Sequence, residues 1–419
     1  MQSSSLKRKN SQLLSKEPSC SKYNVYRSLK QRSLGHPRLF GRQVKVSARP
    51  LLSHFMSPPE MVYQFVYSES SEFCSPLYCD FAHHRNDGNL LAVSDEDGRV
   101  SLLRTDKNND INNYEFHEFF KCHQHAISDI KWSTDDRVLA TASHDRTVRL
   151  WDPNTRTLLA KYDGHEDIVK SIHWHPTNSD LLVTSSKDGS FRVWDAREQQ
   201  RENEQEIDDS TRVKVCKPTL TVSEAHQGQE PQTRKRKNGP QPLVIRSVTC
   251  ALYMHTDETK IISSGSSDGS IKLWDLRAKR SPAVLSSTTF VTESGKLSGV
   301  TDLKIDSTGT RLFSSCMDNR IYMHYLSDLS KPACYFRHPD YKVGTFDIKI
   351  CLSPDDRFLA SGSFDKHCFV WDTKEPERDA YLFEGHTRKV TGVSWNKYSL
   401  DQFATCSEDY TTRIWSLDF

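Results

Sequence analysis

One short unit recurs through most of the chain, and it constrains the fold more than any other feature. Residues 261–277 read Ile-Ile-Ser-Ser-Gly-Ser-Ser-Asp-Gly-Ser-Ile-Lys-Leu-Trp-Asp-Leu-Arg, so that Asp268-Gly269 stands between two alternating apolar runs. This pattern predicts two short strands joined by a tight turn, because glycine accepts the positive φ that such a turn requires. Trp274 follows the turn aspartate by six residues.

The same spacing of a turn aspartate and a bulky residue six positions later occurs seven times. The aspartates are Asp97, Asp145, Asp188, Asp268, Asp318, Asp365 and Asp409, followed by Leu103, Trp151, Trp194, Trp274, His324, Trp371 and Trp415. Five of the six intervals, at 43–50 residues, lie within or slightly above the 40–45 residues that are typical of a four-stranded propeller blade. The sequence therefore predicts an all-β, seven-bladed propeller over residues 61–419.

One interval of 80 residues separates Asp188 from Asp268 and has room for an eighth blade. Residues 198–218 and 227–243 are polar and lack strand periodicity, so we expect two insertions at one blade boundary, with a single strand within 219–226. The last repeat has no outer strand of its own. The apolar segment 61–67 is predicted to fill that place, because closing the ring removes two open sheet edges.

Histidines precede several hairpins, at His125, His165 and His386. With the Trp-Asp pairs, they resemble the WD-repeat family. That resemblance implies a buried network of the histidine, the turn aspartate, a strand Ser or Thr and the tryptophan. A neutral imidazole and a carboxylate can satisfy each other in this way. We therefore interpret these histidines and aspartates as structural.

Charge is distributed unevenly along the chain. Residues 1–55 contain twelve Lys and Arg residues against one Glu, a net charge of +11, whereas the remainder carries −9. A basic, largely disordered tail is expected for residues 1–55. Within it, Tyr23, Tyr26 and Leu29 have helical spacing. This segment, near residues 23–34, is either a solvated part of the tail or a short partner-docking helix.

Signals for chemistry are weak. The eleven cysteines are scattered without a CxxC pair, which favours free thiols in a reducing compartment. No apolar run reaches the roughly 18 residues of a membrane span, and P-loop, GxSxG and HExxH motifs are absent. Cys122-His123-Gln124-His125 superficially resembles a metal cluster, but its spacing does not fit zinc motifs. We expect no metal, no cofactor and no enzymatic activity, because no polar constellation for the central channel is visible in the sequence.

Two of the four Trp-Asp pairs are followed by arginine. Asp195-Ala-Arg197 and Asp275-Leu-Arg277 end the third strand of consecutive blades, so both arginines are expected at the same lower rim. In one interpretation each arginine pairs only with its own aspartate. In the other, the two form an adjacent pair with a bidentate binding capacity that lysine lacks.

The paired boxes resemble those of substrate receptors of cullin-four RING ubiquitin ligases. Within that group, the chain is most similar to the denticleless family, and the similarity lies in six stretches of sequence. They are Ser-Val-Thr-Cys-Ala-Leu-Tyr253, Asp-Gly-Ser-Ile-Lys-Leu-Trp-Asp-Leu-Arg277, Asp-Ser-Thr-Gly-Thr-Arg-Leu-Phe313, Asp-Asn-Arg-Ile-Tyr-Met323, Leu-Ser-Pro-Asp-Asp-Arg-Phe-Leu359 and Ala-Thr-Cys-Ser-Glu-Asp409.

This resemblance implies a nuclear, non-catalytic receptor that acts in DNA replication, the DNA damage response and the cell cycle. Asp195, Arg197, Asp275 and Arg277 would bind the ligase's triple-propeller adaptor, with the segment at Tyr23–Leu29 docking beside them. The upper face would bind substrates held on the DNA sliding clamp. The ligase's RING subunit would transfer ubiquitin.

A basic run within the second insertion, Arg234, Lys235, Arg236 and Lys237, is expected on the upper face. It is either a solvated loop or nuclear-localisation signal, or a nonspecific contact with DNA phosphates or substrate. Residues just before turn aspartates are geometric candidates for substrate contact: His144, Lys187, Phe364 and Glu408. The competing function is a non-ligase WD-repeat scaffold in a nuclear chromatin or ribosome-assembly complex.

Overall fold

The computed structural model describes residues 49–67, 72–106, 118–197, 207–208, 213–226, 247–277, 282–292 and 294–417. The chain divides into two units, Met1–His54 with Asp418–Phe419, and Phe55–Leu417. In the first unit the described part contains the helix Arg49–Leu52. The predicted segment at Tyr23–Leu29 and the basic run Arg234–Lys237 lie outside the described residues.

The second unit is a seven-bladed β-propeller, which confirms the predicted fold class. We number the blades 1–7 in chain order and letter their strands a to d from the central channel outward. Strands a to d are Pro76–Phe81, Leu90–Asp95, Arg99–Arg104 and Glu118–Lys121 in blade 1, and Ile127–Trp132, Leu139–Ser143, Val148–Asp152 and Thr157–Tyr162 in blade 2. They are Val169–Trp174, Leu181–Ser186, Phe191–Asp195 and Leu220–Val222 in blade 3, and Val248–Tyr253, Lys260–Gly265, Ser270–Asp275 and Ala283–Thr289 in blade 4.

The other three blades follow the same order. Their strands are Val300–Ile305, Arg311–Cys316, Arg320–Tyr325 and Cys334–Phe336 in blade 5; Ile350–Leu352, Phe358–Ser361, Cys368–Asp372 and Tyr381–Phe383 in blade 6; and Val390–Trp395, Gln402–Ser407 and Thr411–Leu417 in blade 7. A 3-10 turn occurs at Pro59–Met61, and the turn at Arg85–Gly88 contains Asn86 and Asp87 with positive φ. The b–c turns and d–a loops form the upper face, and the a–b turns and c–d turns form the lower face.

The outer strand of blade 7 comes from the beginning of this unit. Val62–Gln64 pairs antiparallel with strand c of blade 7, and Phe55–Met56 pairs with the end of the same strand. The strand predicted at 61–67 is therefore shorter in the structure, and the pairing of Phe55–Met56 was not predicted. Phe55 is buried, and its ring packs on the aromatic rings of Phe383, Trp395 and Phe403.

The prediction of an aperiodic polar insertion over 198–218 is wrong at its end. Val213–Cys216 pairs in parallel with strand d of blade 2, and Ile207–Asp208 pairs with that added strand. Cys216 is buried in the cluster that also contains Tyr162 and Trp194. The short apolar alternation in this segment is therefore sufficient to cover the outer edge of blade 2.

Apolar side chains fill the space between neighbouring blades, and polar networks fix the repeats. In blade 4, His226 Nδ1 lies 2.9 Å from Asp268 Oδ2, and His226 Nε2 lies 2.7 Å from Ser263 Oγ, to which Trp274 Nε1 donates at 2.8 Å. Burial lowers the pKa of His226 although Asp268 acts in the opposite direction. Among the described residues the same four-membered network forms in three more blades. Its members are His123, Asp145, Thr141 and Trp151; His165, Asp188, Thr184 and Trp194; and His386, Asp409, Thr405 and Trp415.

The prediction that His125 takes this role in blade 2 is wrong. His123 lies 2.8 Å from Asp145 and 2.8 Å from Thr141, whereas His125 is exposed. Both residues lie in the d–a loop between blades 1 and 2. The backbone N–H of His123 donates to the carbonyl of Gly98 in the b–c turn of blade 1. His123 is thus a member of the blade network.

Candidate functional site

Asp195 and Arg197 form a compact turn at the lower end of strand c in blade 3. Asp195 Oδ1 accepts hydrogen bonds from the Arg197 backbone N–H at 2.9 Å and from its Nε at 3.1 Å, and Oδ2 accepts one from a terminal guanidinium nitrogen at 2.9 Å. The Asp180 carboxylate lies 3.8 Å from the same Nε. The aspartate therefore fixes both the turn and the direction of the guanidinium.

Asp275 and Arg277 repeat this arrangement in blade 4, with corresponding distances of 2.9, 3.2 and 3.2 Å. Hydrogen bonds from Arg277 lower the pKa of Asp275, and the carboxylate in turn raises the pKa of Arg277. The pair is therefore charged at any physiological pH.

Local pairing leaves both guanidinium groups accessible. The Arg197 side chain is 56% exposed and that of Arg277 is 62% exposed, whereas the aspartates are 11% and 20% exposed. A planar guanidinium carries five N–H donors, so pairing with one carboxylate and exposure of the same side chain are compatible. The interpretation as a local ion pair and the interpretation as a partner-binding pair are therefore compatible.

The corresponding turns of blades 2 and 6 have a different side chain at the third position. Asp152 accepts the backbone N–H of Asn154 at 2.8 Å, and Asp372 accepts that of Lys374 at 2.9 Å. Asp372 also accepts a hydrogen bond from Arg357 at 3.1 Å. The turn is thus shared by four blades, and arginine at its third position is specific to blades 3 and 4.

The four upper-face candidates occupy equivalent places in four b–c turns. The backbone N–H groups of His144, Lys187, Phe364 and Glu408 each donate to a carbonyl of the preceding d–a loop. Phe364 is exposed, and its ring lies against Gly344. Glu408 forms an ion pair with Lys389 at 2.8 Å. These residues share one face and belong to four different blades.

The expectation that the central channel lacks a polar constellation is wrong. Three aspartates on strands a use their carboxylates to join neighbouring blades. Asp80 accepts the Trp132 backbone N–H at 3.0 Å, Asp129 accepts that of Ile172 at 3.1 Å, and Asp302 accepts that of Ile350 at 3.1 Å. The carboxylates are therefore part of the channel wall.

Four lysines accompany these aspartates. Lys397 lies 2.8 Å from Asp80, Lys131 lies 2.8 Å from Asp129, and Lys304 and Lys349 lie 3.3 and 3.7 Å from Asp302. Burial opposes the charge of Lys131, but Asp129 and Asp80 raise its pKa above the ordinary value. Asp302 and then Asp129 likewise raise the pKa of Lys349 against the effect of burial. Lys131 and Lys349 are therefore held in the charged form.

A signal for this channel is present in the sequence. Asp129-Ile-Lys131 and Asp302-Leu-Lys304 place both charges of each pair at alternate positions of an inner strand, hence on one face. Neither pair was predicted to belong to a site, because alternation alone identifies only the polar side of a strand. Strands a line the channel, so that side is directed inward.

The described residues contain no group of three or more His, Cys, Asp or Glu side chains that could hold a metal ion. In the same parts of the chain, no helix has the length and apolar character needed to span a membrane.

Comparison with known proteins agrees with this architecture. The family model described as "WD domain, G-beta repeat" matches residues 115–152, 156–195, 242–275, 287–324, 338–372 and 378–416. The chain is similar to the denticleless protein homologue of Danio rerio, with 33% identity over 84% of this chain and 53% of the relative. It is also similar to that of Homo sapiens, with 30% identity over 84% and 48%.

Similarity extends to the protein lethal(2)denticleless of Drosophila melanogaster, with 31% identity over 81% of this chain and 43% of the relative. The chain thus spans about half the length of the curated relatives it matches. Seven blades, four complete repeat networks and this similarity along most of the propeller lead to one conclusion. The chain is a WD-repeat protein, and it belongs to the denticleless family.

Proposed function

We propose that this chain is the substrate-recognition subunit of a cullin-four RING ubiquitin ligase. The observation that carries the proposal is the pair of exposed, pre-oriented arginines, Arg197 and Arg277, at the same edge of neighbouring blades. Membership of the denticleless family supports it. In this proposal the chain is a non-catalytic receptor, and the ligase's RING subunit transfers ubiquitin.

The two Asp–Arg boxes bind the triple-propeller adaptor of the ligase. Asp195 and Asp275 hold the guanidinium groups in place before binding, so little side-chain entropy is lost when the adaptor docks. In each box the charge of the arginine is offset by that of its own aspartate. The adaptor therefore contributes hydrogen-bond acceptors at the exposed edge of each guanidinium, and Coulomb attraction has a minor part.

Substrates bind the opposite, upper face while they are held on the DNA sliding clamp. Phe364, which is exposed on a b–c turn, has the type of side chain that contributes strongly to protein interfaces. The proposal also includes two segments outside the described residues. The helix near 23–34 docks on the adaptor, and Arg234–Lys237 contacts DNA phosphates or substrate. The complex acts in the nucleus.

Co-purification of the adaptor with the full chain tests the proposal. Arg197→Ala/Arg277→Ala should reduce adaptor recovery at least about tenfold, the effect of losing roughly 1.4 kcal/mol of binding free energy. Arg378→Ala is the matched control, because Arg378 is 54% exposed and pairs with Glu375 in the c–d turn of blade 6. It should leave recovery unchanged. Equal recovery of the adaptor with wild type and the double variant, both folded by thermal melting, would exclude this receptor mechanism and favour the scaffold function.

A further inference from the structure

The central channel presents ammonium groups to its interior and hides its carboxylates. Side chains of Lys131, Lys304, Lys349 and Lys397 are 20%, 23%, 11% and 29% exposed, whereas those of Asp80, Asp129 and Asp302 are 7%, 3% and 0% exposed. The difference arises because each carboxylate turns toward the wall to accept a backbone N–H of the next blade. A molecule in the channel therefore meets more ammonium surface than carboxylate surface.

These groups surround one cavity. All four lysines line a space of about 260 Å³, together with the carboxylates of Asp80 and Asp129, the imidazole of His173 and several apolar side chains. A water molecule takes about 30 Å³, so the space holds several waters or one small ligand. It lies below the roughly 300–1,000 Å³ of pockets for drug-sized molecules.

The charge balance favours an anion. Four lysines face three aspartates, and Lys349 and Lys304 share the single carboxylate of Asp302. At 3.7 Å, the Lys349 ammonium is beyond hydrogen-bond distance of that carboxylate. Apolar walls of low dielectric strengthen the field of unbalanced charges in a narrow channel. The lysines therefore retain donors that an anion can accept.

We propose that the central channel of this propeller binds a small phosphate-class anion, such as pyrophosphate, through Lys131, Lys304, Lys349 and Lys397. A multivalent anion fits better than chloride, because its several oxygens accept from ammonium groups of three blades at once. The raised pKa values of Lys131 and Lys349 keep these two donors charged at neutral pH, whereas burial lowers the pKa of Lys397 although Asp80 acts in the opposite direction. The bound anion links blades 2, 5, 6 and 7, so it also stabilises the closed ring.

Isothermal titration calorimetry of the full chain with pyrophosphate, with sodium chloride adjusted to constant ionic strength, tests the proposal. We expect saturable binding of one anion per chain and a higher melting temperature. Lys304→Met and Lys397→Met keep the length of the side chain but remove its charge, and each should weaken binding about tenfold. Lys260→Met is the matched control, because Lys260 also pairs with an aspartate, at 3.1 Å, but lies outside the cavity.

A measurement on the wild type covers the case in which a channel variant does not fold. Pyrophosphate should slow acetylation of Lys304 and Lys397, read by mass spectrometry, but not that of Lys260. Absence of saturable binding, equal affinity of the channel variants and Lys260→Met, or equal acetylation with and without pyrophosphate would each overturn the proposal.

Discussion

Acidification should destabilise the propeller through His324, which stands in blade 5 where five other repeats have tryptophan. Its side chain is fully buried, its ring lies edge-on to Phe290 with 5.6 Å between centroids, and neither ring nitrogen has a hydrogen-bond partner among the described residues. Burial lowers the pKa of His324 from 6.5 to about 4, because an imidazolium there would lose its water without gaining an acceptor.

The magnitude follows from proton linkage. Below the unfolded pKa of 6.5 the unfolded chain binds a proton that the folded chain does not, so stability falls as the pH is lowered, and the loss levels off below about pH 4. At about 1.4 kcal/mol per pH unit, the difference between 6.5 and about 4 amounts to about 3 kcal/mol of unfolding free energy, and to about 2 kcal/mol at pH 5.

Urea unfolding of wild type and His324→Phe at pH 8 and pH 5 measures this effect. Phenylalanine keeps an aromatic ring against Phe290 but does not titrate, so the stability of the variant relative to wild type should rise by about 2 kcal/mol between the two pH values. His255→Phe is the control, because His255 is exposed, and it should show no such change. If His324→Phe differs from wild type by the same free energy at both pH values, the argument from a neutral buried histidine fails.

Other predictions concern stability and can be checked by urea unfolding at neutral pH. Phe55→Ala should lower the unfolding free energy by about 3–5 kcal/mol, because the buried ring packs on three aromatic rings. Met56→Ala, at the exposed neighbour, should lower it by less than about 1 kcal/mol. Equal losses in the two variants would contradict closure of the ring by this segment. Asp268→Ala should cost about 2–4 kcal/mol and Asp318→Ala less, since Asp268 accepts from a histidine, a hydroxyl and a backbone N–H. Tyr341→Phe should cost about 1 kcal/mol, the value of its hydrogen bond to Ser361 at 2.9 Å, and an unchanged midpoint would show that this bond adds no net stability.

The number of blades could be predicted because each repeat carries its own turn chemistry. Asp-Gly and related pairs fix the hairpin locally, and a tryptophan six residues later marks the same strand in five of the seven units. The membership of each network was harder to predict. His165 and His386 both precede their turn aspartates by 23 residues, and by this measure His123, at 22 residues, fits better than His125, at 20. Glycine precedes His165 and His386, but cysteine precedes His123, so this local signal is absent there.

Blade 6 shows how the fold replaces a missing histidine. Tyr341 Oη lies 2.9 Å from Ser361 Oγ and 3.4 Å from Ser315 Oγ, and its ring is 5.1 Å from Trp371. A phenol can satisfy a strand hydroxyl as an imidazole does. No local pattern marks Tyr341 for this role, because the contact depends on how the d–a loop returns to the blade.

The channel was missed for a different reason. The alternation of polar and apolar residues assigns four charged residues to the polar side of their strands: Asp129, Lys131, Asp302 and Lys304. It does not predict that the polar sides of seven inner strands converge around one axis. The partner of each carboxylate is a backbone N–H on the next blade, which no pattern within a single blade can reveal. Closure of the ring therefore creates a charged interior that the individual repeats do not encode.

The Trp-Asp turns separate what the fold requires from what it leaves open. In blades 2, 3, 4 and 6 the aspartate accepts the backbone N–H two residues later, at 2.8–2.9 Å. The fold therefore explains the aspartate. It does not explain the residue that supplies this N–H, because Asn154 and Lys374 make the same turn as Arg197 and Arg277. Asparagine or lysine at this position allows the same turn, so folding does not account for arginine in two neighbouring blades. Its exposure, more than half of the side chain in both blades, is the observation on which the proposed binding of a partner rests.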